Sequence, residues 1–401
     1  MTLKAQEAPE SSFAVGKQCR VRFRVMVPMR DGVMLATNIA LPLEPGRYPT
    51  VVVRTAYYRQ GHVRGNVYFP TQGVAFVAQD CRGRYESEGE HDPFRSEADD
   101  GEDMLAWIAA QSWSNGRVGS FGDSYLAATQ LAMAPRGGEI LVALNPRFMS
   151  GDCFRRAYWA DGAFSLGLTW SWLCLEVGGR VSAAADLPVL DVLKLMRHRP
   201  LLTLDEACGA GVVPAYRGYV SHSSWGPFWH DMSCYQDLAK YRMPVLLTGG
   251  WYDYYPGEAI RTFQELRRLA PTPELRAAHR LLIGPWTHGI NGSSVLGEWD
   301  FGPAARQEDG ATYHWLVTLL KGGSPAAVQK AAVRVFTMGL NQWRDFSDWP
   351  PPGMATQSWY LGAEATLLPV APTTAAPPVQ FVYDPENPVP TLGGNHSVGP
   401  Y

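Results

Sequence analysis

Apolar positions along this chain fall first into alternation, then into short unbroken runs, and then into helical spacing. Residues 21 to 42 alternate around a turn at Arg30-Asp31-Gly32, which predicts an opening β-hairpin. Tyr48 to Thr55 and Gly73 to Asp80 are nearly continuous apolar runs, the pattern of strands covered on both faces in a parallel sheet. Between Asp99 and Gln111, the residues Met104, Leu105, Ile108 and Ala109 recur at helical spacing, with acids at the amino end where the helix dipole favours them. A strand reaching Gly119, a helix from Tyr125 to Ala134 and a strand from Ile140 to Leu144 continue an alternating β/α series.

That rhythm breaks from about 146 to 240. Aromatic residues dominate there (Phe154, Tyr158, Trp159, Phe164, Trp170, Trp172, Trp225, Trp229), with a leucine-rich stretch near Leu187 to Leu195. The stretch reads as a helical insertion. The β/α series resumes with a strand from Pro244 to Thr248, a helix through Phe263 and Leu266, a strand from Arg280 to Gly284 and a helix from Ala311 to Lys321. After about 330, Val333 to Met338 and Ser358 to Leu361 read as strands among Pro-rich stretches at Trp349-Pro350-Pro351-Pro352 and Ala371 to Pro378. The expected division is a polar segment at 1–18, an α/β domain at 19–145 and 241–330, a cap at 146–240, and a partial C-terminal β-domain at 331–401.

Composition narrows the class. With 46% hydrophobic residues over 401 positions, a large core is within reach, and a net charge of −3 gives no electrostatic case for nucleic acid or an anionic membrane. The first 18 residues lack a signal-peptide pattern, and no apolar run approaches a membrane span. Six scattered cysteines without a CxxC pair read as free thiols, so the expectation is a cytoplasmic protein with no metal and no organic cofactor. The acidic run Glu97 to Asp103 lacks a calcium-loop spacing and reads as a solvated helix start. Gln79 to Arg84 reads as a strand end with an internal Asp–Arg pair, and His222, His230, His279 and His314 carry no partner pattern.

The chemistry is concentrated in three places. Phe121-Gly122-Asp123-Ser124-Tyr125 puts a serine between a strand end and a helix start, with a glycine two residues before it, as a nucleophile elbow requires. Trp251-Tyr252-Asp253 ends a second apolar run and Pro285-Trp286-Thr287-His288 a third, which gives the Ser, Asp, His chain order of α/β-hydrolases. A serine needs a base in reach and a carboxylate to orient that base, and Ser124, His288 and Asp253 supply the three roles. The amide of Tyr125 follows the nucleophile and serves as one oxyanion donor, while the loop Arg54-Thr55-Ala56-Tyr57-Tyr58 offers a phenol, Tyr57 or Tyr58, as the second. Asp253 is followed by Tyr254, Tyr255 and Pro256, so Tyr255 is expected to wall the acyl site and apolar or aromatic acyl groups to be favoured. A carboxylate able to hold a substrate amine would have to come from the cap, as Asp161 or Glu176.

The runs Val27-Pro28-Met29-Arg30-Asp31-Gly32, Gln79-Asp80-Cys81-Arg82-Gly83, Val118 to Leu126, Gly249-Gly250-Trp251-Tyr252-Asp253 and Gly284-Pro285-Trp286-Thr287-His288 resemble the cocaine esterase (CocE/NonD) family, related to X-Pro dipeptidyl-peptidases and α-amino-acid ester hydrolases. The likeness runs from about residue 20 to the end. It implies an α/β-hydrolase fold with a helical cap, followed by the start of a jelly-roll β-domain that is expected to be truncated. It also implies a catalytic triad of Ser124, Asp253 and His288, and it maps the oxyanion tyrosine to Tyr57, with the Tyr125 amide as its companion. Ala127 stands where the family pattern has glycine, and Thr55-Ala56 where it has Asn-Pro. The expected activity is hydrolysis of carboxylic esters of small molecules through an acyl-enzyme. The alternatives are X-Pro dipeptidyl-peptidase or α-amino-acid ester hydrolase/acylase activity, or a catalytically silent binding protein on the same fold.

Overall fold

The unbroken apolar runs become strands buried on both faces. A computed structural model describes residues 13–149, 151–184, 189–289, 294–306, 310–363, 365–374 and 377–387. Its main sheet comprises β1 (Ala14–Val15), β2 (Arg20–Pro28), β3 (Met34–Leu41), β4 (Tyr48–Thr55), β5 (Ala75–Asp80), β6 (Ser114–Asp123), β7 (Leu141–Arg147), β8 (Leu246–Gly250), β9 (Arg280–Gly284), β10 (Val333–Thr337) and β11 (Gln342–Phe346). The spatial order is β1-β2-β3-β5-β4-β6-β7-β8-β9-β10-β11. Strands β4 to β10 are mutually parallel, while the opening strands at one edge and β11 at the other run antiparallel to their neighbours.

Helices cover both faces, and the strand period of two sorts the side chains between them. Val52 joins Met104, Leu105 and Ile108 of α1 (Glu97–Ala109), Leu131 of α2 (Tyr125–Met133), and Phe263 and Leu266 of α4 (Pro256–Leu269). Its neighbours Val51 and Val53 point the other way, to Trp315, Leu316, Leu319 and Leu320 of α5 (Gly310–Leu320). Because seven strands run in one direction, their carboxyl ends share one edge of the sheet. In an open α/β sheet that edge is where ligands bind.

Four expectations need correction. The acidic start of α1 is solvated only at Asp99 and Glu102: Glu97 and Asp100 are buried, with Arg54 Nη1 2.7 Å from Glu97 and Arg82 Nη2 2.6 Å from Asp100, while Asp103 meets Arg30 at 2.8 Å. Asp80 pairs not with its sequence neighbours but with Arg59, from the loop after β4 that lies beside it in the sheet. The insertion is less regular than expected. A short helix, α3 (Leu166–Trp170), runs into a π-helical turn at Ser171–Glu176, followed by short helices at Val192–Met196, Pro214–Ser221 and Pro227–His230. Leu187 lies outside the described residues.

The fourth correction concerns the C-terminal part. Val333 and Val335 pair in parallel with Leu281 and Ile283, so the first strand expected in a separate β-domain extends the central sheet instead. Burial explains the choice: Val333, Val335 and Phe336 are buried, and Trp343 of β11 packs tilted against Trp286 at a centroid distance of 5.8 Å. Of Ser358 to Leu361, only Tyr360–Leu361 forms a strand, paired with Leu367–Leu368. Residues 1–12 and 388–401 of the expected terminal segments lie outside the described residues. No helix among the described residues is long and apolar enough to cross a membrane.

Candidate active site

The turn that presents Ser124 is strained. Ser124 has φ 55° and ψ −122°, a left-handed conformation that costs a non-glycine residue about 1–3 kcal/mol. Surrounding bonds over-determine it: Ser124 N–H donates to the Arg147 carbonyl at 3.0 Å, and the Ser124 carbonyl accepts from the amides of Ala127 and Ala128 at 2.8 and 3.1 Å. Gly122, at φ +148°, is required as well, since a Cβ there would fall 2.4 Å from Leu126 Cβ. Ala127 is fully buried in the first turn of α2 and leaves the elbow intact.

Three further segments converge on Ser124 from the carboxyl ends of β4, β8 and β9. The Tyr57 hydroxyl lies 3.5 Å from Ser124 Oγ. It accepts a hydrogen bond from the Trp172 indole at 3.0 Å, and the Tyr125 amide faces it as well. Burial and the Glu176 charge push the Tyr57 phenol up to about 12, so at neutral pH it remains a hydrogen-bond donor. Tyr58 instead stacks on Tyr85 with ring centroids 4.5 Å apart, so of the two phenols it is Tyr57 that reaches the serine.

His288 Nδ1 meets Asp253 Oδ1 at 2.8 Å, and the Asp253 side chain is fully buried. The Tyr254 amide donates to the same oxygen at 2.8 Å, which fixes the carboxylate before the imidazole uses it. The imidazole is packed among the rings of Phe148, Tyr254 and Tyr255, at centroid distances of 6.2, 4.9 and 5.7 Å. Ser124 and His288 line one cavity without a direct hydrogen bond between them. In unliganded sites such bonds commonly tighten only once substrate is held.

Two spaces meet at the serine. A chamber of about 100 Å³ is walled by Phe94, Tyr125, Tyr158, Trp172, Tyr254 and Tyr255, and a cleft of about 630 Å³ by Tyr57, Tyr58, Phe121, Asp123, Arg147 and Tyr313. Ser124, Tyr57, His288 and Glu176 belong to both. Asp161 lies elsewhere, in a pocket with Phe154 and Glu258. Sequence reasoning did not single out Trp172. Nothing in the aromatic run separates it from Trp170 two residues earlier, which is fully buried in the core. Arg84 was missed too: its guanidinium bonds the carbonyls of Ala56, Glu176 and Val177 at 2.9, 2.6 and 3.1 Å, tying the cap turn to the Tyr57 loop.

Residues 31–290 match the model of the X-Pro dipeptidyl-peptidase (S15) family. The chain belongs to that family. It is also 32% identical over 408 residues to the cocaine esterase of Rhodococcus sp. (strain MB1 Bresler), covering 93% of this chain and 69% of the esterase. Among solved structures, an aminopeptidase from the marine sediment archaeon Thaumarchaeota archaeon superposes with a TM-score of 0.77 at 22% identity, covering 96% of this chain and 69% of its own. An α-amino acid ester hydrolase does so with a TM-score of 0.76 at 22% identity, over 98% and 71%. These relatives are hydrolytic enzymes, and so is this chain; at such identity the two structures establish the shared α/β-hydrolase fold.

Proposed function

We propose that the chain hydrolyses carboxylic esters of small molecules through a covalent acyl-enzyme on Ser124. The observation that carries this reading is the convergence, around a serine held at φ 55°, of the Tyr57 hydroxyl at 3.5 Å and, in the same cavity, of His288 held from behind by the buried Asp253. Ser124 Oγ attacks the acyl carbon while His288 Nε2 takes its proton. Asp253 holds the imidazole tautomer with Nδ1–H and stabilises the imidazolium. The carbonyl oxygen, now negative, accepts from the Tyr57 hydroxyl and the Tyr125 amide. His288 then protonates the departing alkoxide, and water repeats the sequence on the acyl-enzyme.

The leaving alcohol must escape while the acyl group stays on Ser124. The open cleft therefore suits the alcohol, and the enclosed aromatic chamber, with Tyr255 in its wall, suits an apolar or aromatic acyl group. The 146–240 segment acts as the cap that shapes this chamber, through Tyr158, Leu168 and Trp172. All six cysteines are free thiols, which supports work in a reducing, cytoplasmic compartment. A fluorophosphonate probe should label Ser124 alone. Ser124→Ala and His288→Ala should each lower kcat on a p-nitrophenyl acyl ester by about 10⁴- to 10⁶-fold with the fold retained by circular dichroism. A Ser124→Ala chain that keeps most of its activity overturns the mechanism.

A further inference from the structure

Arg84 is fully buried, yet it belongs to neither the elbow nor the cap: it lies in the loop after β5. Its guanidinium donates to three carbonyls and, among the described residues, to no carboxylate: Nε to Ala56 at 2.9 Å, Nη2 to Glu176 at 2.6 Å and Nη1 to Val177 at 3.1 Å. A buried cation without a counter-charge is costly, and each of these bonds holds backbone. On one side Arg84 holds the peptide that carries Tyr57. The Ala56 carbonyl accepts from Arg84, and the N–H of the same peptide, that of Tyr57, donates to Thr55 Oγ1 at 3.0 Å. With both ends of that plane bonded, the direction in which Tyr57 leaves the backbone is set.

On the other side Arg84 holds the end of the cap's π-helical turn. Val177, whose carbonyl it binds, donates its own amide to the Trp172 carbonyl at 2.9 Å, and the Trp172 indole donates to the Tyr57 hydroxyl at 3.0 Å. The contacts close a ring: Arg84, the Ala56–Tyr57 peptide, the phenol, Trp172, Val177 and Arg84 again. Arg180 returns the connection from the cap, donating to the carbonyls of Tyr85, Ser87 and Gly89 in the Arg84 loop. We propose that Arg84 is a positioning residue for the oxyanion donor, fixing the Tyr57 hydroxyl over Ser124 from both its backbone and its indole side. This rests on the esterase reading above. It makes the cap part of the oxyanion site, not only a wall of the acyl chamber. The phenol already lies 3.5 Å from Ser124 Oγ, and a drift of about 1 Å is enough to weaken such a donor.

The test is a double-mutant cycle on kcat with p-nitrophenyl butyrate. Arg84→Met should lower kcat about 10- to 100-fold with KM changed by less than about threefold, since the loss falls on the transition state. In the Tyr57→Phe background the same substitution should change kcat by less than about threefold, because no phenol is left to place. Equal losses in the two backgrounds overturn the proposal and leave Arg84 a residue of stability alone. So does a loss carried by KM. Where Arg84→Met does not fold by circular dichroism, Trp172→Phe opens the same ring and keeps an aromatic wall: coupling to Tyr57→Phe supports the ring, and additivity overturns it. An intact chain that turns over no ester defeats the esterase reading instead. The rate at which a fluorophosphonate labels Ser124 then decides the role of Arg84, because the phosphonyl oxygen needs the same donors. Slower labelling in Arg84→Met, with no such difference in the Tyr57→Phe background, supports the proposal, and an unchanged rate overturns it.

Discussion

At the scale of single residues, the proposed oxyanion site allows a sharp comparison between neighbours. Tyr57 and Tyr58 are adjacent phenols, yet only Tyr57 has its hydroxyl at Ser124 and under the Trp172 indole. Tyr57→Phe should therefore lower kcat by about 10² to 10³ with little change in KM, the usual cost of one oxyanion donor. Tyr58→Phe should leave kcat within a few-fold of the parent. Steady-state kinetics on one p-nitrophenyl ester decide it, and the reverse pattern would move the donor by one residue. Ser124, Asp253 and His288 were legible in the sequence because each ends an apolar run that must be a strand, and parallel strands bring their ends to one edge. Tyr57 was legible to within one position, since sequence gives the loop but not which phenol turns inward. Glu176 was nameable only as one of two cap acids. Its position depends on a π turn and on the clamp from Arg84, 92 residues away, and neither leaves a local signal.

At the scale of elements, the amino end of α1 shows where a sequence pattern misleads. Acids in a first helical turn ordinarily face water and complement the helix dipole. Here the turn lies against the end of β4 and the start of α2. Glu97 accepts from Arg54 and from the Tyr125 hydroxyl, each at 2.7 Å, while the Phe94 amide donates to that same hydroxyl at 3.0 Å. Arg54 sits three residues before Tyr57, and Tyr125 directly follows Ser124. The buried pair thus joins the two segments that carry the proposed oxyanion donors. Replacing one partner leaves a charge uncompensated in the interior, so Glu97→Gln should destabilise the fold by about 3 kcal/mol, read as a lower urea midpoint. A loss below about 1 kcal/mol would mean that the pair is solvated after all. The same logic explains β10: its apolar alternation marked a strand, but pairing partner is a tertiary property, and Leu281 and Ile283 offered an open edge.

At the scale of the whole molecule, one sheet carries the site on its carboxyl edge and buried titratable groups near the opposite, amino end of its strands. His279 is among the latter. It sits just before β9, 1% exposed, and its Nδ1 accepts the Val245 amide at 3.3 Å. Burial, reinforced by Arg267 and Arg280, holds it down at about 3. The folded chain therefore leaves His279 neutral where the unfolded chain, with an ordinary imidazole near 6.5, takes up a proton. More protons on the unfolded side mean that stability rises with pH across that window. Acidification from about pH 7 to pH 5 should thus cost the fold on the order of 1–2 kcal/mol through this residue alone, and the loss should level off only below about pH 3. His91, held down at about 4 chiefly by burial, adds a similar slope. His279→Asn separates the two, because the amide oxygen can still accept the Val245 amide but cannot be protonated in this range. Urea unfolding at pH 7 and pH 5 should show a smaller stability difference for the variant than for the parent. Equal differences would mean that His279 is protonated in the folded state, and that the strand start around it opens to water.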